Sequence, residues 1–196
     1  MAIMVIVMAF ALPAFNSTAR GLAMTQATQV VADQLHIARQ TALTKNHPVE
    51  VRFYSYVDPT APGSKNAFRA VQSFQMNDDG TFTAVGKVGQ LPNSMVIDSN
   101  QTLSSIIGSP LISGSTVPSS ATGISLNAPI PRAGTQYTSI QFHFLPDGST
   151  NLPISGQPWF VTVHSEIPGT SLASLPPNFS TIQIDPYNGQ TRIYRP

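Results

Sequence analysis

The chain has 196 residues, 10% of them charged, with a formal net charge of +1 and no cysteine. That length is enough for one domain with a sizeable core. Without cysteine the chain has no disulfide scaffold, no thiol nucleophile and no Cys-ligated metal site. The near-zero net charge argues against nucleic acid as a partner, because no basic excess is present to neutralise phosphates. A hydrophobic fraction of 41% is too high for a disordered chain.

The N-terminal residues form an apolar run. Residues 1–12 are uncharged and apolar, and the first charged residue is Arg20. As a helix this run would be about 18 Å long, too short for a bilayer core of about 30 Å. A helix that is apolar on all sides must be enclosed by protein or lipid. The run is therefore a buried helix, the result of a mis-set start codon, or a helix that packs in lipid or in an assembly of subunits.

From Ser17 onward the pattern is that of an amphipathic helix, with apolar residues every three or four positions on one face. We expect that face to pack on the rest of the protein through Val30, Leu35, Ala38 and Ala42. Pro48 disfavours a helical residue before it. The sequence therefore predicts one helix from the first residue to about Lys45, kinked near Pro13, where a backbone hydrogen bond is lost.

The rest of the chain alternates apolar and polar residues in short segments, which is typical of β-strands. The predicted strands are 49–53, 67–76, 81–85, 140–144, 159–164, 181–184 and 191–194. The first of them reads as a half-buried strand, and turn residues at 77–80 and 187–190 predict hairpins. The predicted fold is α+β: a long helix (residues 1–45) packed on an antiparallel, sandwich-like β-rich head (residues 46–196).

One stretch of the predicted head carries almost no charge. Between Lys87 and Arg132 the only charged residue is Asp98, and residues 99–131 are rich in Ser, Thr, Gly and Pro. We expect a long surface loop there. The alternative is a neutral polar loop that packs against another subunit.

The sequence carries no recognisable active site. Its four histidines show no metal-ligand spacing, and neither a nucleophile elbow nor a nucleotide-binding glycine motif is present. We therefore predict no catalytic residue, no cofactor and no metal. One alternative is a hydrolase that uses His143 or His164. The other is a membrane-tethered module that binds polysaccharide or peptide through Trp159, Tyr54, Tyr56 and the uncharged loop.

Four blocks of the sequence resemble type IV pilin-like proteins. They are the apolar run ending A-L-P-A-F, then A-R-Q-T-A-L-T-K-N-H-P-V-E-V-R-F (38–53), I-Q-F-H-F-L-P-D-G-S (140–149) and I-Q-I-D-P-Y-N-G-Q-T-R-I (182–193). The second block is similar to the H-type minor pseudopilins of type II secretion and their FimT-like relatives. The stretch P-V-E-V-R-F-Y also resembles the pilin-like Verru_Chthon cassette protein. The resemblance covers about half of the chain and none of residues 87–139.

The resemblance implies a pilin-like fold and a filament subunit that is not an enzyme. A prepilin peptidase would remove a leader, the subunit would wait in the inner membrane with its head in the periplasm, and an assembly platform would insert it among other pilin or pseudopilin subunits. The resemblance places the kinking proline of these proteins at Pro13. Membrane or filament packing would then involve Ile3, Val5, Ile6, Val7, Phe10 and Leu12.

The N-terminus departs from the family pattern, because the cleavage site, the first mature residues and an early glutamate are missing. We therefore expect a truncated N-terminus. Roughly nine further residues would bring the apolar run to about 20, enough to span a bilayer.

Overall fold

The computed structural model describes residues 2–61, 63–109, 114–115, 129–154, 156, 158–166, 176 and 178–196, without the side chains of 2–18 and 114–115. One long helix, α1 (Ala2–Lys45), comes first. It ends where the sequence predicts, since Asn46 takes a positive φ of 55° and Pro48 follows.

In the described part of the chain, ten strands and one short helix follow α1. They are β1 (Val49–Tyr56), β2 (Ala67–Met76), β3 (Phe82–Ala84), β4 (Gly89–Gln90), β5 (Met95–Ile97), α2 (Ser105–Gly108), β6 (Gly114–Ser115), β7 (Thr138–Phe144), β8 (Trp159–Ser165), β9 (Phe179–Ile184) and β10 (Thr191–Tyr194). Every predicted strand is found. The sequence analysis missed β4, β5 and β6, which have only two or three residues each and are too short to show an alternation.

The ten strands form one antiparallel sheet, in the order β10-β9-β8-β5-β2-β1-β7-β6. One edge of β2 pairs with β1, and its other edge pairs in turn with β3, β4 and β5. The α+β class is correct. The predicted pilin-like architecture with a sandwich-like head is wrong, because the structure has a single sheet where two packed sheets were expected. The reason is that α1 covers the face of the sheet that a second sheet would otherwise have to cover.

Helix α1 packs on the sheet through one stripe of small and apolar side chains. The stripe consists of Met24, Ala27, Val31, Leu35, Ala38 and Ala42, all 2% exposed or less. Val30 is half-buried against the same core. The approach is close at β4, where a Cβ on Gly89 would lie 2.9 Å from Cγ1 of Val30. A glycine is therefore needed at that position.

The opposite face of the sheet carries a second, smaller cluster, formed by Tyr54, Tyr56, Ala70, Phe74 and Ile130, with Phe82, Val88, Ala133 and Tyr137 around it. Strand β1 lies between β2 and β7 and has a covered face on each side, so all eight of its residues are buried. The prediction of a half-buried β1 is therefore wrong.

The stretch predicted as a surface loop contributes to the core. Leu103, Ile106 and Ile107 are buried. The hydroxyl groups of Ser104 and Ser105, at the start of α2, accept the backbone N–H groups of Thr162 and Phe160 at 2.9 Å. These two hydroxyl groups thus pair with backbone N–H groups of β8, as a neighbouring strand would. The surface-loop prediction is wrong for this part of the stretch. Residues 110–113 and 116–128 lie outside the described residues.

Candidate functional site

The first candidate site is α1 itself. Its seven predicted membrane- or filament-packing residues are Ile3, Val5, Ile6, Val7, Phe10, Leu12 and Pro13, and their side chains lie outside the described part of the chain. The kink at Pro13 stays a prediction. Among the side chains that are described, Met24 is the first buried one of α1, and Leu22 is 61% exposed.

The helix is much longer than the part that packs on the sheet. Its backbone extends from Met24 back to Ala2, which at 1.5 Å per residue is about 33 Å. Within the described residues, no helix combines the length and the continuous apolar character that crossing a membrane requires.

The second candidate site is a buried charged cluster on the face of the sheet opposite α1. Glu50 on β1 is the cross-strand neighbour of both Phe74 on β2 and His143 on β7. His143 Nε2 lies 3.0 Å from Glu50 Oε2, and Arg52 Nε donates a hydrogen bond to Glu50 Oε1. The Arg52 guanidinium lies 4.3 Å from the ring centroid of Phe74 and 5.0 Å from that of Phe82. Two aromatic faces and one carboxylate therefore surround this buried cation.

The electrostatics of this cluster favour the ionised carboxylate. Burial raises the pKa of Glu50, but the hydrogen bond from His143 and the charge and hydrogen bond of Arg52 outweigh it and hold that pKa below its usual value of 4.5. Asn151 completes the cluster: its Oδ1 accepts the backbone N–H of His143 at 2.7 Å, and its Nδ2 lies 3.2 Å from His143 Nδ1. Both side-chain contacts are satisfied when Nε2 donates to Glu50 and Nδ1 accepts from the Asn151 amide.

A second histidine–carboxylate pair lies where β5 joins the two halves of the sheet. His164 Nε2 lies 2.9 Å from Asp98 Oδ2, and His164 Nδ1 lies 2.8 Å from the carbonyl oxygen of Ser165. The Asn100 backbone N–H donates to Asp98 Oδ1 at 2.6 Å. Burial raises the pKa of Asp98, but the hydrogen bonds from His164 and Asn100 outweigh it and lower the pKa.

Neither pair is arranged for nucleophilic catalysis. A Ser/His/Asp relay needs one ring nitrogen to face the nucleophile. In His164 both nitrogens face acceptor oxygens of the protein, and in His143 they face Glu50 and Asn151. Over the described ranges, no three His, Asp or Glu side chains converge as a metal site requires.

The aromatic residues considered for a binding module are buried. Trp159, Tyr54 and Tyr56 are 0%, 3% and 2% exposed, and Trp159 Nε1 donates to the carbonyl oxygen of Pro153 at 2.8 Å. They are core residues and offer no surface platform. A groove of about 440 Å³ lies at the β9–β10 hairpin. Trp159 contributes to its lining from the core side, and most of its other side chains belong to the block 182–193 and to the loop before β8, which the sequence analysis did not assign to a binding site.

Three of the blocks that carry the pilin resemblance meet at the C-terminal end of α1. The turns after β7 and after β9 touch there: a Cβ on Gly189 would lie 2.4 Å from the carbonyl oxygen of Gly148, so only glycine fits. The Thr150 N–H donates to the carbonyl oxygen of Pro186 at 2.9 Å. From α1, Arg39 Nε donates to the carbonyl oxygen of Asn188 at 2.8 Å. These blocks are therefore joined in one packed unit.

Two further contacts hold α1 against β10. Thr191 Oγ1 lies 3.2 Å from His36 Nε2, and Arg195 Nη1 donates to Thr25 Oγ1 at 3.2 Å. Together with the contact between Arg39 and Asn188, they extend over four turns of the helix.

Comparisons of the chain with protein-family models, with curated proteins and with solved structures found no match. The pilin-like identity thus stays a prediction, and the proposals below rest on the sequence pattern and the geometry.

Proposed function

We propose that this protein is a structural subunit of a type IV pilus-like or type II secretion pseudopilus filament, which assembles through α1 and catalyses no reaction. The observation that carries the proposal is the division of α1. Among the described side chains of this continuous 44-residue helix, those that pack on the sheet lie in its C-terminal half, from Ala23 to Ala42. Its other half extends the helix through the apolar run of the sequence.

The free energy gained when the apolar run is removed from water favours assembly. Burying an apolar side chain of the size of Ile, Val, Phe or Leu contributes about 1.5–3 kcal/mol. Packing the same helix from many subunits side by side would remove Ile3, Ile6 and Phe10 from water together. Other copies of this chain or related pilin and pseudopilin subunits are the partners that this packing requires.

The two histidine–carboxylate pairs agree with a structural role. Each of them bonds within the protein: Arg52 and His143 face Glu50, and His164 faces Asp98. Buried pairs of this kind fix a unique arrangement of strands more readily than they serve a substrate.

The proposal includes a location. Before assembly the subunit would wait in the inner membrane with its head in the periplasm, where a prepilin peptidase and an assembly platform act on such proteins. After assembly it would be part of an extracellular filament. Fractionation of cells before and after mechanical shearing of surface filaments distinguishes the two states.

Disulfide cross-linking tests the proposal directly, because the chain has no cysteine of its own. Phe10→Cys and Ile6→Cys each place a single thiol on the apolar half of α1. In oxidised native filaments we expect covalent dimers of this chain, or of this chain with a related subunit. The matched control is Val57→Cys, on an exposed side chain beyond the end of β1, which should give far fewer dimers. Detergent-dispersed protein should give none.

The proposal would be wrong if purified native filaments lacked this chain and if its deletion left both secretion and piliation unchanged. Dimers formed equally by Phe10→Cys and Val57→Cys would also count against α1 as the assembly surface.

A further inference from the structure

The groove at the β9–β10 hairpin is formed by strand residues and by the loop before β8. Its volume of about 440 Å³ falls in the range of about 300–1,000 Å³ that small-ligand sites occupy. Gln183 on β9 and Arg192 on β10 are direct cross-strand neighbours. Because Ile182 and Ile184 on either side of Gln183 are buried in the core beneath α1, the Gln183 and Arg192 side chains point away from the helix.

The polar side chains of the groove have unused hydrogen-bonding capacity. Among the described residues, the side chains of Gln183, Gln190 and Arg192 have no hydrogen-bond or ion-pair partner. Asp185 uses Oδ1 to accept the Tyr187 backbone N–H at 3.0 Å, and its Oδ2 has no donor within the described part of the chain. Together they present two amides, one guanidinium and one carboxylate, and the two formal charges cancel.

The apolar part of the groove is exposed to solvent. The side chain of Tyr187 is 67% exposed, and Ile154 on the facing loop is 60% exposed. An exposed aromatic ring therefore lies next to polar groups that have no partner among the described residues. The phenol ring offers a flat face to which an aliphatic C–H surface can stack.

We propose that this groove binds a neutral oligosaccharide. Every sugar hydroxyl both donates and accepts a hydrogen bond, and the groove offers donors (Arg192 and the amides) beside acceptors (Asp185 and the amides). The C–H face of a pyranose ring would lie on Tyr187. The cancelled charges favour a neutral ligand over an acidic or a basic one. This binding goes beyond the filament role and does not depend on it.

An extended peptide fits the same chemistry less well. A peptide that binds a sheet adds to an edge strand and uses the backbone groups of that strand. The groups that line this groove are side chains of β9, β10 and the turn between them, and not the backbone of the outer edge of β10. An acidic peptide would also place its carboxylates next to Asp185.

The test is an NMR titration of the full chain, labelled with ¹⁵N, in a zwitterionic detergent that carries no sugar. The probes are cellotetraose, maltotetraose and chitotetraose, each added to about 10 mM, a concentration that detects even millimolar binding. We expect at least one of them to shift the backbone resonances of residues 183–192 in a saturable way, and the resonances of β1 and β7 to stay in place.

Matched variants locate the binding. Tyr187→Ala and Arg192→Ala should each weaken the binding at least about tenfold. Tyr194→Ala on β10 and Arg20→Ala on α1 replace exposed residues of the same types outside the groove and should leave the affinity unchanged. All four positions are at the surface, so the remaining resonances report whether the fold is intact.

Three outcomes would overturn the proposal: no saturable shift with any tetrasaccharide, equal losses in the groove and control variants, or shifts produced by an acidic tetrapeptide and not by the sugars. None of them bears on the filament role, because cross-linking through α1 does not involve the groove.

Discussion

The two histidine–carboxylate pairs contain similar side chains in different surroundings. Glu50 is shared between His143 and Arg52, and the His143 side chain is 26% exposed. Asp98 has no arginine or lysine partner among the described residues, and the His164 side chain is only 5% exposed. In the first pair the carboxylate keeps a charged partner if the histidine is lost, and in the second it does not. We therefore expect the contribution of each histidine to stability to depend on whether its carboxylate has a second partner, more than on the distance within the pair.

Removing Arg52, the cation that shares Glu50 with His143, should have the largest effect on stability. Arg52→Met keeps the length of the side chain but leaves Glu50 buried with His143 alone, so we expect the free energy of unfolding to fall by about 3–5 kcal/mol. Urea denaturation followed by circular dichroism measures it. The double variant Glu50→Leu, Arg52→Met removes both charges and should lose clearly less. A double variant as unstable as the single one would show that Glu50 is not the cause.

Replacing each histidine by leucine compares the two pairs directly. His164→Leu leaves Asp98 with a backbone N–H as its main donor, and we expect a loss of about 3 kcal/mol. His143→Leu leaves Glu50 with Arg52, and we expect about 1 kcal/mol. The same urea titration gives both values. Equal losses would contradict the role assigned to Arg52.

The smallest expected effect is a difference in acid sensitivity. The pKa values of Asp98 and Glu50 are lowered in the folded state, so each carboxylate stabilises the protein above its unfolded pKa. That stability is lost as the pH falls through the folded pKa. The melting temperature should therefore drop between about pH 5 and about pH 3. Asp98→Asn should melt lower at neutral pH and show a shallower acid drop, and an unchanged slope would exclude Asp98 as a contributor.

The sequence predicted those parts of the fold that depend on neighbours along the chain. The end of α1 follows from Asn46 and Pro48, and the hairpin after β9 follows from Asn188 and Gly189, since both signals are local. The order of the strands is not local. The residues paired with β1 lie between 11 (Tyr56 and Ala67) and 95 (Val49 and Phe144) positions away in the sequence, and nothing within β1 shows that its polar face is covered.

The candidate sites were harder to predict for the same reason. Asp98 stood out as the only charge between Lys87 and Arg132, yet its partner His164 lies 66 residues further along the chain. Glu50 and Arg52 carry a usable signal, because opposite charges two residues apart on one strand share a face. In a chain with only 10% charged residues, such a pair fits a buried ion pair as well as it fits two side chains on a solvated surface. The hairpin at 187–190 was predicted and places Gln183 opposite Arg192, but nothing in the sequence shows that the loop before β8 faces them.

The contacts between α1 and β10 have a mechanical consequence. Arg39, His36 and Thr25 tie the helix to Asn188, Thr191 and Arg195, so a pulling force along the helix axis is shared with the last strand of the sheet. That strand pairs only with β9 among the described strands. Helix α1 also packs directly on the central strands β1 and β2 through its buried stripe, so tension on the helix is divided between these strands and the C-terminal hairpin. The hairpin therefore takes part of a load that the core strands would otherwise carry alone.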